Sequence, residues 1–233
     1  MKPDQRKLFA VTMQPDRISC AVVSQTNSSA LPLLLHAFAT YPCAQGELYN
    51  LVIFNPTQLS DFIVQVVDQW HVHAAPVSII LSGPVLHEKI SYSADELPNL
   101  QELGLPPGIH WQWHTRIIGP VADGRHLIYV AGMPRPITLQ YHLLMRKAKM
   151  TIAQLTTQQL SLLCLYKYMY GAIFRPGLLA DKLVQKNNEV EKLFTPDMLG
   201  RILHIPATVA VDRENDFVPL LNACAVMVSE YEA

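Results

Sequence analysis

The sequence predicts an α/β protein with mixed sheets, and three observations carry that prediction. Residues 126–132 form an almost wholly apolar strand that breaks at Met133-Pro-Arg-Pro136 and turns into an amphipathic helix over 137–149. A strand so apolar is buried on both faces, the habit of strands in a sheet with helices packed over it. Strand-like and helix-like segments alternate as β-β-β-α, then β, β, β-α, then α, β, α, and no repeat of roughly 20–50 residues occurs. Half of the 233 residues are hydrophobic and only 16% are charged, enough apolar material for one large or two small cores.

Residues 8–23 read as two short strands joined at Gln14-Pro15-Asp16-Arg17, because Pro and Asp are turn residues and Ile18, Cys20 and Val22 alternate with Ser19 and Ala21. The apolar run 31–39 supplies a third strand of the same sheet, with Pro32 near its start, where a missing N–H is tolerated. Residues 40–55 are loop-like, with brief pairing at 51–54. Asn55-Pro-Thr57 opens a helix over 58–70 whose Leu59, Phe62, Ile63, Val66, Val67 and Trp70 line one buried face. A β-branched strand over 77–81 ends in Ser82-Gly83-Pro84, and 85–90 continues extended into a polar stretch with Asp95 and Glu96. Prolines and glycines make 97–108 an irregular connection before the alternating strand 109–118. After the strand and helix of 126–149 comes a short apolar run, 151–155. Thr156 or Thr157 caps a helix reaching Ala172, with Leu160, Leu163, Cys164, Lys167 and Tyr168 along one stripe, and Arg175-Pro-Gly177 stops it. A polar helical piece spans 178–194. Thr195-Pro-Asp197 starts another helix, which ends at His204-Ile-Pro206 before a strand over 207–211, and an apolar helix over 216–230 follows.

The formal net charge is −1 and no long basic run occurs, so the electrostatic footprint of a protein that binds phosphate backbones is missing and no nucleic-acid partner is expected. The positively charged start, residues 1–7, leads into alternating sequence with Asp16 and Arg17, so neither a signal peptide nor a membrane anchor fits. No window reaches the roughly 18 apolar residues of a membrane-spanning helix, and no direct membrane insertion is expected. Cys20, Cys43, Cys164 and Cys224 are scattered without a C-x-x-C pair. That suits buried free thiols in a reducing compartment better than disulfides or a zinc site, and the expected location is cytoplasmic.

Four stretches carry a family likeness through their order, although none is specific alone. They are the hairpin 9–23, Val77-Ser-Ile-Ile-Leu-Ser-Gly-Pro84 with its extension to Ile90, Leu127-Ile-Tyr-Val-Ala-Gly132 leading into Tyr141-His-Leu-Leu-Met-Arg-Lys-Ala-Lys149, and 199–212 followed by 220–228. Together they resemble the PilM/ComA-like proteins of bacterial type IV pilus assembly, which belong to the actin-like ATPase superfamily and relate to the cytoplasmic part of secretion-system L proteins. The resemblance implies an actin-like (ribonuclease H-like) α/β fold of mixed sheets with helices. It implies a first lobe over 1–155, whose last strand and crossing helix lie in 125–150, and a reduced second lobe with a closing strand and helix over 156–233.

In that superfamily Mg-nucleotide lies between two lobes, held by a hairpin with an acidic residue and small glycines and by a second such hairpin in the later lobe. Here Thr12 stands in the acidic position, Gln14 and Pro15 occupy the turn that would cradle phosphate, and proline has no N–H to offer. After Tyr170 the second hairpin would begin with an Asp-Ile-Gly-like segment, yet 171–193 has helix-like composition. No Walker-type G-x-x-x-x-G-K-[ST] compensates elsewhere. The chain is therefore expected to bind ATP poorly or not at all, with no cofactor.

Other constellations favour structural roles. His71-Val-His73 could set two imidazoles on one side of a strand, but no third metal ligand is nearby, and no metal is expected. His110, Trp111, Trp113 and His114 could form a stacking platform; an aromatic strand face packed on a helix explains Trp111 and Trp113 without one. Cys164 with His142 could pair a thiol and a base, but Cys164 sits on the predicted apolar stripe. Ser82-Gly83-Pro84 lacks the G-x-S-x-G surroundings of a nucleophile elbow. The mixed charges of 182–192 read as a solvated helix face or loop.

No catalytic residue is assigned. The resemblance then implies a non-catalytic cytoplasmic scaffold or adaptor in type IV pilus or type II secretion-like assembly, a pseudo-ATPase held at the inner membrane through a partner. In the resembling family the cleft side of the first lobe receives a short peptide from the cytoplasmic tail of a membrane protein, so such a tail is the expected partner, with self-association left open. The alternatives are a nucleotide-binding actin-like ATPase with atypical phosphate contacts, for which Thr12 and Asp16 would matter, and a small-molecule enzyme of unrelated α/β fold.

Overall fold

The computed structural model describes residues 7–26, 32–94, 110–121, 123–186, 189–212 and 214–229. The expected polar stretch at Asp95 and Glu96 and the connection 97–108 lie outside them. β1 (Lys7–Gln14) and β2 (Arg17–Gln25) pair from Lys7↔Ser24 to Gln14↔Arg17, so Pro15-Asp16 is a two-residue turn. β3 (Leu33–Pro42) adds antiparallel to β2. The brief pairing expected at 51–54 is the hairpin of β4 (Leu48–Tyr49) and β5 (Val52–Ile53). α1 (Pro56–Trp70) starts where the cap signal places it: Thr57 N donates to Asn55 Oδ1 at 3.2 Å, and Pro56 occupies the first turn, where its missing N–H has no partner to lose. Then follow β6 (Val77–Leu81), β7 (His87–Ser93), β8 (Trp111–Pro120), β9 (His126–Pro134), α2 (Arg135–Lys147) and β10 (Ile152–Thr157). The remainder comprises α3 (Gln158–Tyr170), α4 (Pro176–Gln185), α5 (Pro196–Ile202), β11 (Leu203–His204) and α6 (Phe217–Ser229).

A six-stranded sheet has the order β10-β6-β1-β2-β3-β11, with β6 parallel to β1, β10 parallel to β6, and β2 antiparallel in the middle. Successive strand residues point to opposite faces, and the two faces feed separate cores. Phe9, Val11 and Met13 pack with Leu59 and Ile63 of α1 and Tyr141 and Met145 of α2. Leu8 and Ala10 pack on the other side with Leu162 and Leu165 of α3 and Leu221 and Val228 of α6. Both faces of the sheet are thus covered by helices, which is why β1 and β2 are apolar at nearly every position. Residues after Thr157 contribute to this second helical layer and, among the described residues, only β11 to a sheet.

The strand expected over 126–132 is β9, buried from Leu127 onward, with Leu127, Tyr129 and Ala131 in one core with residues of α3 and α4. It is the centre of a separate antiparallel sheet, β7-β9-β8, inserted between β6 and α2. The helix from Thr157 ends at Tyr170, ahead of Arg175-Pro-Gly177, and Pro176 then stands in the first turn of α4, the favoured site for a residue whose φ is preset and whose N–H is absent. The polar piece 178–194 is α4 followed by a 3-10 turn over Val190–Leu193. No strand forms over 207–211. The chain instead pairs at Leu203↔Leu33 and then passes along β3 to Thr40, whose Oγ1 donates to Asp216 Oδ1 at 3.4 Å. On α3 the buried residues run through Ser161–Tyr166 rather than along the expected stripe, and Tyr168 is exposed.

Gly119, at the irregularity between Ile117 and Gly119 of β8, lets α4 approach the small sheet: a Cβ there would stand 2.7 Å from Pro176 Cγ. Gly119→Val is expected to lower stability in urea denaturation by about 1–3 kcal/mol through overpacking against a rigid ring. Gly200→Ala in α5, where an added Cβ meets nothing within 4 Å, is expected to be neutral or stabilising by up to about 1 kcal/mol.

Candidate functional site

Open α/β sheets bind ligands beyond the carboxyl ends of their parallel strands. Here β1, β6 and β10 end at Gln14, Leu81 and Thr157. Thr12 is buried and stands opposite Ser19 across the hairpin. Ser82 N donates to Met13 O at 2.9 Å. Thr157 Oγ1 caps α3 by accepting from Leu160 N at 3.3 Å, Ser161 Oγ donates to the Thr157 carbonyl at 2.9 Å, and Asn222 Nδ2 of α6 donates to Gln158 Oε1 at 3.2 Å. This rim is made of hydroxyls and amides. Among the described residues, two carboxylates adjoin it: Asp16 in the turn after Gln14, and Glu88 of β7, which is bonded to Tyr129 beside Thr157.

The turn that would cradle phosphate is filled. A Cβ on Gly83 would lie 3.0 Å from Leu51 Cγ and 3.6 Å from Pro15 Cγ, so Pro15 and Leu51 pack over the end of β6. Leu51 is wholly buried, and its carbonyl accepts from Tyr141 Oη at 2.9 Å. The Asp16 carbonyl accepts from Cys43 N at 2.8 Å, tying the hairpin tip to the end of β3.

Carboxylates gather to one side, around a cavity of about 410 Å³ lined by Asp16, Thr40, Asp212 and Asp216 among others. Two of them are engaged in capping α6. Asp216 accepts from Asp212 N at 2.8 Å, and its carbonyl takes Leu220 N at 3.0 Å. Asp212 accepts from Asn215 Nδ2 at 2.6 Å and from the amides of Asn215 and Glu214, bonds that hold its carboxyl below the ordinary range. Among the described residues no group of three His, Cys, Asp or Glu is placed to hold a metal ion.

A further cluster joins the small sheet to the start of α3. Tyr129 Oη donates to Glu88 Oε1 and lies in hydrogen-bond contact with Thr157 Oγ1. Because Thr157 Oγ1 already accepts from Leu160 N, its own proton is directed to Tyr129 or to Glu88, which closes the cluster of Thr157, Tyr129 and Glu88. Burial pushes the Glu88 carboxyl above its ordinary range, against the hydrogen bonds from Tyr129 and Thr157, and burial pushes the Tyr129 phenol well up. A cavity of about 170 Å³ lined by Glu88, Lys89, Ile90, Tyr129 and Gln159 adjoins the cluster. Local sequence hides it: Glu88 lies in an alternating strand between exposed His87 and Lys89, and its partners are 41 and 69 positions away.

The other sequence candidates are dispersed. His71 is not on a strand but ends α1 in the left-handed region, and His73 Nε2 pairs with Asp68 Oδ1 at 3.3 Å. Trp111 and Trp113 lie over the backbone of Gly132, with centroids 6.3 Å apart and His87 edge-on to Trp111 at 4.9 Å. His110 is exposed, and half-buried His114 has its pKa lowered by burial. Cys164 and His142 sit on α3 and α2, on opposite faces of the large sheet, and do not meet. Lys182 is exposed on α4, as a solvated helix face requires, and its Nζ also donates to Tyr166 Oη at 3.1 Å and lies 5.6 Å from the Tyr170 ring centroid. All four cysteines are free thiols; burial raises those of Cys20 and Cys224, and Cys43 is pushed up to about 12.

No family model matches the sequence, and no curated protein matches it either. In shape, the chain is similar to one from the PilM-PilN type IV pilus biogenesis complex, with a TM-score of 0.53 at 13% identity, covering 72% of this chain and 51% of that one. The fold is actin-like. It thus spans about half the length of the chain from that complex. A second likeness, to the cytoplasmic domain of EpsL, an inner membrane component of the type II secretion system of Vibrio cholerae, has a TM-score of 0.39 at 8% identity and covers 66% of this chain and 57% of that one; it adds nothing to the assignment of the fold.

Proposed function

We propose that this chain is a non-catalytic scaffold of type IV pilus or type II secretion-like assembly, a cytoplasmic pseudo-ATPase that receives the tail of an inner-membrane partner, as PilM joins PilN in the complex it resembles in shape. One observation carries the non-catalytic part. At the rim where an actin-like fold would hold nucleotide, Pro15 and Leu51 pack over Gly83, and the carboxyl at the end of β10, that of Glu88, is already engaged by Tyr129. Phosphate binding needs open backbone N–H groups, and metal-assisted transfer needs an anionic ligand for the cation. Residues 156–233 are on this reading the remnant of a second lobe, kept as the helical layer over the large sheet. No described helix is long and apolar enough to cross a membrane, which fits attachment through a partner. Calorimetric titration with Mg-ATP is expected to show no binding tighter than about 1 mM. A micromolar affinity would overturn the pseudo-ATPase reading in favour of an ATPase with atypical phosphate contacts. Copurification of the chain from native extract with inner-membrane assembly proteins is the matching test of the scaffold.

A further inference from the structure

The outer face of α2 is unusual for a solvent-facing helix. At about 100° per residue, Arg135, Leu139, His142, Leu143, Arg146 and Lys147 share an arc of about 140°, opposite the buried Ile137, Tyr141, Leu144 and Met145. Leu139 and Leu143 are 51% and 63% exposed, at the i, i+4 spacing that sets them side by side. Phe54, 61% exposed, belongs to the same patch. Its neighbours fix its place: Ile53 N donates to Gln140 Oε1 at 3.0 Å, Lys147 Nζ donates to Thr57 Oγ1 at 2.9 Å, and Leu143 lies on α2 between Gln140 and Lys147.

The charge carried by α2 itself has one sign. α2 contains no Asp or Glu. Glu47, in the adjoining hairpin, is turned inward and accepts from Tyr41 Oη and Ala44 N. Asp61, a turn beyond Thr57 on α1, is the acid that flanks the Lys147 end. A second copy related by two-fold symmetry would bring Arg146 and Lys147 against their own kind. An exposed strip of Leu and Phe rimmed by Arg and Lys fits a layer of anionic headgroups, where the apolar side chains enter the acyl boundary and the cations meet phosphate.

We propose that this face of α2, with Phe54, rests on an anionic bilayer surface. The contact goes beyond the scaffold reading and requires neither nucleotide nor a partner protein, so it can fail or hold independently of that reading. With the purified full chain, sedimentation with vesicles of phosphatidylcholine containing about 30% phosphatidylglycerol is expected to pellet several-fold more protein than phosphatidylcholine alone. Leu139→Glu with Leu143→Glu, and separately Arg146→Glu with Lys147→Glu, are each expected to cut that binding about tenfold, as is raising the salt to about 0.5 M. All four side chains are exposed, so an unchanged melting temperature shows that the variants fold. Equal pelleting of wild type and both double variants, or no pelleting with either vesicle, overturns the proposal. A wild-type dimer dispersed by the leucine pair would assign the face to a second copy instead. A partner-protein complex broken by the same pair, with no vesicle binding, would assign it to protein.

Discussion

Tyr141→Ala is expected to lower the unfolding free energy by about 3–5 kcal/mol, the range for removing a fully buried aromatic side chain, and Tyr141→Phe by about 1–2 kcal/mol for the lost hydrogen bond. Tyr141 is wholly buried on the inner face of α2 and donates to the Leu51 carbonyl at 2.9 Å. That carbonyl belongs to a strained turn. Asn50 and Leu51, the two residues between β4 and β5, have φ of 47° and 68°. A two-residue turn of this hand favours Asn followed by Gly, and a side chain in the left-handed region costs about 1–2 kcal/mol. Leu51 accepts that conformation because its side chain is buried against Gly83 and its carbonyl is bonded. Tyr141 therefore also secures the packing that fills the rim beside Pro15. Equilibrium urea denaturation measures both variants; a Tyr141→Phe value within about 0.3 kcal/mol of wild type would mean that water replaces the phenol at Leu51 without loss.

Legibility followed the range of the physics involved. Short-range chemistry was readable: Pro15-Asp16 sets a turn, Asn55 accepts from Thr57 N, and Pro196 in the first turn of α5 follows the Thr195 cap. Strand partnership was not. The apolar pattern of β9 reports burial but carries no direction, so it could not show that β9 lies between β7 and β8 in an antiparallel sheet of its own. Residues 207–211 have strand-like composition, yet the ladder with β3 ends at His204↔Leu34, and Pro206, lacking an N–H, follows closely. For the site, Thr12 and Pro15 could be named because their departure is local. Glu88, Tyr129 and Thr157 could not, because what joins them is the meeting of two sheets, and no spacing in the chain announces it.

Tyr129→Phe is expected to destabilise the protein by about 1–3 kcal/mol at neutral pH, the cost of leaving a buried charged acceptor without a donor, and by less in acid. The pH dependence follows from Glu88. Burial, with a smaller contribution from the charge of Glu191, raises its carboxyl above the ordinary range, while the bonds from Tyr129 and Thr157 work the other way. The folded chain thus holds this proton more tightly than the unfolded chain. Its contribution to stability is complete below the unfolded value of about 4.3 and is lost as pH rises through the higher folded value. Removing the Tyr129 hydroxyl takes away a donor that favours the ionised form, so the penalty should grow across the same window. Glu88→Gln keeps an acceptor for Tyr129 without the charge, and is expected to be at least as stable as wild type at about pH 7.5 and to lose the advantage near pH 4. In that background the Tyr129→Phe penalty should be small and flat with pH. The measurement is a double-mutant cycle by denaturant unfolding at several pH values. An equal Tyr129→Phe penalty at about pH 4.5 and about pH 7.5 would place the worth of the hydroxyl in its bond to Thr157 and the cap of α3, not in the carboxylate of the small sheet.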